Sequence, residues 1–190
     1  TYPLTLPMCA PISDGAAAAV LCSAAGLKRL KGDSSRAIRL LASVVRSSSD
    51  RSFDDFENHL TALAAKDAYE KSGVAPTDID VAEVHDATAM GEIIQAENLQ
   101  LAPYGGAGWA AEAGEFTVGG RIPINPSGGL ESKGHPIGAT GIGQVYELVT
   151  QLRGEAGKRQ VENAQIAIQE NGGGIYGVEE ATAVVNIFSK

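Results

Sequence analysis

Hydrophobic and polar positions along the chain follow helical spacing in some stretches and form short apolar runs in others. Apolar residues recur every three or four positions from Leu60 to Tyr69, and Gly73 follows as a helix stop, so this stretch is predicted to be an amphipathic helix. Further helices are predicted after Thr88, which can act as an N-cap, and over residues 138–154. Short apolar runs predict strands over residues 15–22, 38–45, 81–84, 164–170 and 180–188.

The alternation of these strands and helices indicates an α/β fold with helices packed on a sheet. The polar, Ser- and Asp-rich stretch RSSSDRSFDDFENH, residues 46–59, interrupts the pattern after the first two strands. It is the best candidate for a boundary between two structural units.

Composition limits the class of protein. The chain has 190 residues, of which 44% are hydrophobic and 20% charged, and this is ordinary globular material. A formal net charge of −8 with scattered basic residues argues against nucleic acid as the main partner. No apolar run approaches the length of a membrane span, and the first residues do not resemble a signal peptide. We therefore expect a cytoplasmic protein whose partners are small molecules.

The chain has two cysteines, Cys9 and Cys22. Neither belongs to a C-x-x-C motif, and both have apolar neighbours in the sequence. We expect reduced, buried thiols rather than nucleophiles, because a reactive cysteine needs a basic and exposed setting.

Two histidines lie where ligands are often bound. His85 follows a predicted strand directly, and ligands of open α/β sheets bind at the carboxyl ends of strands. His135 lies in a glycine-rich stretch that leads into a predicted helix. The glycines match neither the phosphate loop of nucleotide-binding proteins nor the dinucleotide fingerprint. From the residues alone, the stretch is either a turn with a solvated histidine or a cleared space in which His135 acts as a base or hydrogen-bond donor.

A family resemblance favours the second interpretation. The stretch NPSGGLESKGHPIGATGIGQ resembles the C-terminal signature of the thiolase superfamily. The stretches SDGAAAAVL, HDATAMGEI and LRGEAGKRQV are similar to one branch, the thiolases of the sterol-carrier-protein-2 type and related lipid-transfer proteins. The resemblance extends over nearly the whole chain.

The resemblance implies a fold. Residues 51–190 are expected to form a thiolase C-terminal half-domain, with a five-stranded mixed sheet and helices on both faces. Residues 1–50 are expected to supply the last two strands of the N-terminal half. The remainder of that half, in the same or a separate chain, is an implied partner, and a homodimer is expected.

The resemblance also implies a chemistry. Thiolases form or cleave a carbon–carbon bond next to a thioester, using a nucleophilic cysteine and a second acid/base group. By motif match, His135 activates the cysteine, and His85 holds the thioester oxygen through a bound water. The family places the cysteine in the N-terminal half, so we expect this chain alone to be inactive.

Further site residues follow from the same match. Gly172 offers its backbone N–H as an oxyanion donor, Asn125 and Ser127 shape the loop, and Gly134 leaves room for substrate. Where relatives have a second cysteine, this chain has Glu170 or Ala87. Glu170 either replaces that cysteine as an acid/base or merely ends a strand. Tyr176 is a weaker candidate proton donor.

Three functions stay open. The first is an acyltransferase that condenses acyl-CoA or cleaves 3-oxoacyl-CoA. The second is a retro-aldolase acting on β-hydroxyacyl-CoA with a small OB-fold partner. The third is a carrier of acyl-CoA or lipid without turnover. Coenzyme A thioester is the substrate in the first two, and neither a metal site nor a permanently bound cofactor is predicted.

Overall fold

The computed structural model describes residues 2–30 and 34–190. Its sheet is mixed and has four strands in the order β1-β4-β3-β2. Strands β1 and β4, and β4 and β3, pair antiparallel, whereas β3 and β2 run parallel. The strands are β1 (Arg39–Ser47), β2 (Val81–Glu83), β3 (Ile166–Gly173) and β4 (Thr182–Ser189).

Six α-helices connect and cover these strands in the described part of the chain. They are α1 (Ala24–Leu27), α2 (Leu60–Ser72), α3 (Ala89–Asn98), α4 (Ala107–Glu112), α5 (Gly129–Lys133) and α6 (Thr140–Arg153). Short 3₁₀ helices occur at Leu6–Met8, Ser34–Arg36, Pro76–Asp78 and Gly157–Arg159. The helices expected from the sequence are therefore present, and Gly73 ends α2 in the left-handed conformation, with φ of 71°.

The sheet has an apolar core on each face. Successive side chains of a strand point to opposite faces, and in β3 Ile168 belongs to the core under α2, α3 and α4, whereas Ala167 belongs to the core under α6. Leu148 and Leu152 of α6 are fully buried in this second core. An α/β fold with helices on both faces is confirmed.

The expected fifth strand is absent from the described residues. Residues 123–125 lie beside β2, where Ala82 donates to the Pro123 carbonyl and accepts from the Asn125 N–H. A single bridge, between Ala82 and Ile124, forms there. Pro123 has no N–H and Pro126 follows closely, so a ladder cannot continue in either direction.

The first fifty residues depart from the prediction for the other half-domain. The strand expected over residues 15–22 is not formed, because this exposed, alanine-rich segment has no neighbouring strand within the described chain. The strand expected over residues 38–45 exists as β1, but it pairs with β4 in the sheet described above. A division of the chain at residue 50 stays a prediction.

The cysteines also differ from expectation. Cys22 is exposed and Cys9 is only partly buried, so neither is the core thiol that their neighbours in the sequence suggested. Cys9 forms a β-bridge with Thr88 on the surface of the sheet domain, and Cys22 lies in the exposed stretch that follows.

Candidate functional site

The carboxyl end of β2 places His85 beside Glu170, which lies within β3. Because the two strands run parallel, both end at the same edge of the sheet. His85 follows β2, and its backbone N–H donates to Glu170 Oε2 at 3.0 Å. Three residues later Thr88 begins α3, its hydroxyl accepting from the Gly91 N–H at 3.1 Å. The loop that carries His85 is thus held at both ends.

His135 lies between the short helix α5 and the long helix α6. Gly134 ends α5 with φ of 88°, a conformation that glycine adopts without strain. The His135 ring then turns back toward α6, where its Nδ1 lies 2.7 Å from the Thr140 hydroxyl. Thr140 is buried in the first turn of α6, so it gives the imidazole a fixed partner.

The two imidazole rings are in contact in a T-shaped arrangement. Nε2 of His85 lies 3.3 Å from Nε2 of His135, a hydrogen-bond distance. The ring centroids are 5.0 Å apart and the ring planes are inclined by 61°. Residues fifty positions apart in the chain therefore converge, as the roles that the resemblance implies at one thioester require.

The contact between His135 and Thr140 fits two tautomers of the ring, and the second contact of the Thr140 hydroxyl favours one of them. The Thr140 hydroxyl lies 3.3 Å from the Pro136 carbonyl, to which it donates. With that proton engaged, His135 donates from Nδ1 to the hydroxyl oxygen, and its Nε2 keeps a lone pair. His85 then donates from its own Nε2. One ring presents a donor to the site and the other an acceptor.

Both rings are neutral at physiological pH. Burial lowers the pKa of His85 to about 4, with a further contribution from the neighbouring His135. Burial also lowers the pKa of His135. A neutral His135 can accept a proton, and a neutral His85 can donate a hydrogen bond without a positive charge.

Glu170 is fully buried, and burial raises its pKa to about 8, against the lowering effect of the His85 N–H. The nearby carboxylates of Glu180 and Asp86 raise it further. The group is therefore mainly a carboxylic acid at pH 7. Since Oε2 accepts from His85, the acid proton belongs on Oε1, which has no hydrogen-bond partner among the described residues.

Asn125 and Ser127 hold the glycine-rich loop to the sheet. The Asn125 side chain accepts from the Val84 N–H at 2.9 Å and donates to Glu92 at 2.8 Å. Ser127 donates its hydroxyl to Glu83 at 2.8 Å and its backbone N–H to the same carboxylate at 3.1 Å. These contacts shape the loop, and direct contact of either residue with substrate stays a prediction.

The remaining predicted residues lie along the end of β3. Gly172 belongs to the strand, and a side chain there would collide with Glu180, whose Cγ would be 2.7 Å from the added carbon. Tyr176 is 58% exposed in the turn after the strand, where its backbone pairs with Glu179. The roles of Gly172 as an oxyanion donor and of Tyr176 as a proton donor stay predictions.

A cavity of about 420 Å³ lies behind the His135 loop. It is bordered by Ala16 and Ala17 on one side and by Leu130, Gly134 and Thr140 on the other. Its volume is within the range of about 300–1,000 Å³ that is typical of small-molecule pockets.

Sequence reasoning missed Thr140 and the role of Asp86. Thr140 lies five residues after His135, where a helix start turns its hydroxyl toward the ring. Asp86 accepts from the Leu130 N–H, which caps α5 from the neighbouring loop. The hydroxyl shortly after His135 could have been noticed in the sequence. The Asp86 contact joins residues 44 positions apart, and no local pattern indicates it.

The chain matches a known family over most of its length. Residues 42–187 match the family model described as thiolase C-terminal domain-like. The chain belongs to the thiolase family. The matched region includes both histidine loops, Glu170, all of β2 and β3, and most of β1 and β4.

Curated relatives of this thiolase-family chain are longer than it is. Sterol carrier protein 2 of Oryctolagus cuniculus is 47% identical over an alignment of 176 residues that covers 88% of this chain and 32% of the relative. Acetyl-CoA acetyltransferase of Methanothermobacter thermautotrophicus is 44% identical over 189 residues, or 99% of this chain and 48% of the relative. The chain thus spans about a third to a half of the curated relatives it matches.

A solved structure shares the fold. The Ltp2-ChsH2(DUF35) aldolase matches with a TM-score of 0.64 over 78% of this chain and 39% of that chain, at 21% sequence identity. Among residues 2–30 and 34–190, no helix combines the length and the apolar character that crossing a membrane requires.

Proposed function

We propose that this thiolase-family chain supplies the acid–base part of a site that condenses acyl-CoA thioesters or cleaves 3-oxoacyl-CoA. The observation that carries the proposal is the 3.3 Å approach of the two imidazole nitrogens, one a donor and the other an acceptor. A thioester carbonyl needs a donor at its oxygen and a base for its attacking thiol at the same time.

His135 is the base in this proposal. Its Nε2 lone pair takes the proton of a cysteine thiol contributed by an N-terminal thiolase half, and the thiolate attacks the carbonyl carbon. His85 donates from Nε2, directly or through a water, to the oxygen on which charge develops. Gly172 provides a second donor through its backbone N–H. A single oxyanion donor of this kind contributes about 10²–10³ in rate.

Glu170 is the second acid/base group. In the cleavage direction the bond between the α- and β-carbons breaks, its electron pair stays on the α-carbon, and the Glu170 acid protonates that carbon. The resulting carboxylate then takes the proton of the incoming CoA thiol as its sulfur attacks the acyl-enzyme, which restores the acid. A pKa of about 8 suits both steps near neutral pH.

Retro-aldol cleavage of a β-hydroxyacyl-CoA is the second candidate. It is favoured by the absence of a thiol at Glu170 and Ala87, where thiolases of this type can carry one. In this reaction a base takes the β-hydroxyl proton, the α–β bond breaks, and the enolate is protonated, so no acyl-enzyme forms. A small OB-fold partner belongs to this proposal.

The rest of the assembly is part of the same proposal. An N-terminal thiolase half, from the same or another chain, covers the segment over residues 15–22 and provides the nucleophile, and the whole protein is a cytoplasmic homodimer. The proposal is supported by the share of the relatives that the chain spans.

Product analysis with the full-length protein tests these functions. Incubation with CoA and 3-oxoacyl-CoA gives two shorter acyl-CoA products if the first function is right. A β-hydroxyacyl-CoA gives an aldehyde or ketone and a shortened acyl-CoA if the second is right. Binding of both compounds without any product would contradict both and indicate a carrier. His135→Ala should remove most turnover, whereas Lys71→Ala, an exposed change in the last turn of α2, should not.

A further inference from the structure

We propose that residues 9–13, the N-terminal strap, set the separation of the two histidine loops. The strap crosses the surface between them and forms a β-bridge with each, Cys9 with Thr88 and Ile12 with His135. It therefore acts as a positioning element for the imidazole pair. The effect on turnover rests on the function proposed above, but the effect on ring geometry does not.

The strap holds the His85 loop through one backbone hydrogen bond. The Ala10 N–H donates to the Ala87 carbonyl at 3.0 Å. Ala87 is two residues from His85 and directly precedes Thr88, the cap of α3. A displacement of this carbonyl would move the middle of the loop, because its ends are fixed by β2 and by α3.

The strap holds the His135 loop through the next residue. The Pro11 carbonyl accepts from the His135 N–H at 2.9 Å. Ser13 packs on Gly134, where an added carbon would lie 2.7 Å from Ser13 Cβ. The Ser13 hydroxyl is buried and has no hydrogen-bond partner among the described residues, so Ser13 contributes packing at this point.

The two hydrogen bonds are made by adjacent residues, Ala10 and Pro11, so the strap fixes the position of one loop relative to the other. Consecutive Cα atoms are about 3.8 Å apart across a trans peptide, so covalent geometry limits how far the two loops can separate. Pro11 adds stiffness, because its ring fixes φ near −65°. A misplacement of about 1 Å in a catalytic group can cost on the order of 10²-fold in rate.

Ala10→Pro tests the strap in the full-length protein, since it removes the N–H that binds Ala87. Ala10→Ser is the matched control, because it keeps the N–H. We expect Ala10→Pro to lower kcat about tenfold or more with little change in KM, and to shift the ¹⁵N imidazole resonances of His85 and His135 in NMR spectra. Ala10→Ser should change neither.

The imidazole resonances test the strap independently of the function proposed above, because they depend on ring geometry and not on turnover. Shifted resonances support the strap even if the wild-type protein turns over none of the substrates tried. Unchanged resonances in a folded Ala10→Pro variant would overturn it, whatever happens to kcat.

A second set of variants tests the strap if Ala10→Pro does not fold. Gly134→Ala should perturb the same resonances by collision with Ser13 and by strain at positive φ, whereas Ser13→Gly alone should leave them near their wild-type positions. The double variant should recover part of the change, because the collision is relieved and the strain is not. No recovery would overturn the contact between the strap and the His135 loop.

Discussion

The Asp86 side chain accepts a hydrogen bond from the Leu130 N–H at 2.8 Å. The residue next to His85 thereby caps α5, the helix that ends immediately before His135. The Glu131 N–H donates to the same carboxylate at 3.4 Å. The two histidine loops are thus linked twice, by Asp86 through α5 and by the strap.

Removal of the Asp86 cap should destabilise the protein. In Asp86→Ala the buried Leu130 N–H loses its acceptor, which typically costs about 1–3 kcal/mol in the free energy of unfolding. Gly129→Ala should also destabilise, because its new methyl group would lie 2.7 Å from Asp86 Cγ and its φ is positive. Urea unfolding measures both, and Gly108→Ala, with open space around its helical backbone, is a control that should lose nothing. A wild-type midpoint for Asp86→Ala would contradict the cap.

Glu170 should make the protein less stable as pH rises. Burial raises its folded pKa from the ordinary 4.5 to about 8, so the folded state binds more protons than the unfolded state between these values. The free energy of unfolding should therefore fall from about pH 4.5 to pH 8 by more in the wild type than in Glu170→Gln. Glu83 and Glu92, with pKa values raised by burial to about 7, act in the same direction and are retained in both proteins. Parallel stability curves for the two proteins would show that Glu170 ionises normally.

The Thr140 hydroxyl should determine the tautomer of His135. Thr140→Val keeps the shape of the side chain but removes the oxygen 2.7 Å from Nδ1. We expect kcat to fall about 10-fold or more in the full-length protein and the ¹⁵N spectrum to show a changed proportion of Nδ1–H. Thr140→Ser keeps the hydroxyl and should stay near the wild type in both measurements. A Thr140→Val spectrum still dominated by Nδ1–H would contradict the assignment.

The ion pair between Arg51 and Glu179 should be important for stability. The two side chains are 2.6 Å apart and nearly inaccessible, and Glu179 also accepts from the Leu60 N–H at the start of α2. Glu179→Gln leaves the Arg51 charge buried without its partner, and such a change typically costs about 3–5 kcal/mol. Chemical unfolding gives the value, and Glu115→Gln, which breaks an exposed pair with Arg121, should cost less than about 1 kcal/mol. Equal losses in the free energy of unfolding for Glu179→Gln and Glu115→Gln would show that the buried pair is no more important for stability than the exposed one.

The same carboxylate should also contribute to acid denaturation. Burial raises the pKa of Glu179, but the N–H groups of Leu60 and Ser49 and the Arg51 guanidinium outweigh it and lower the pKa to about 2. Its stabilising contribution is complete above the unfolded value of about 4.5 and is lost as pH falls toward 2. Glu179→Gln should therefore lose less stability than the wild type over this range in acid titrations followed by circular dichroism.

The sequence predicted local structure well where a single stretch contained the whole signal. The spacing of apolar residues in α2, its glycine stop and the Thr88 cap of α3 depend on neighbours within about one helical turn. The glycine-rich signature similarly located His135 shortly before the helix α6, because its residues are contiguous, but it gave no sign of the short helix α5.

The prediction of strands failed where a partner was needed. Residues 15–22 and β1 are both apolar runs. However, β1 pairs with β4, whereas residues 15–22 pair with no strand among the described residues. A run of apolar residues indicates that a segment is buried, but it does not identify the strand with which the segment pairs. The sequence therefore could not show which sheet either segment would join.

The sequence by itself determined the family resemblance, the three helices α2, α3 and α6, and the residue types of the candidate site, since each of these is encoded in short stretches. Only the tertiary structure decided that Nε2 of His85 faces Nε2 of His135, that Glu170 is buried as an acid, and that Asp86 and the strap join the two loops. These features depend on distances between residues 44 or more positions apart, and on water excluded by the surrounding fold. A local stretch of sequence encodes neither the hydrogen bonds between such distant residues nor the burial that the rest of the fold provides.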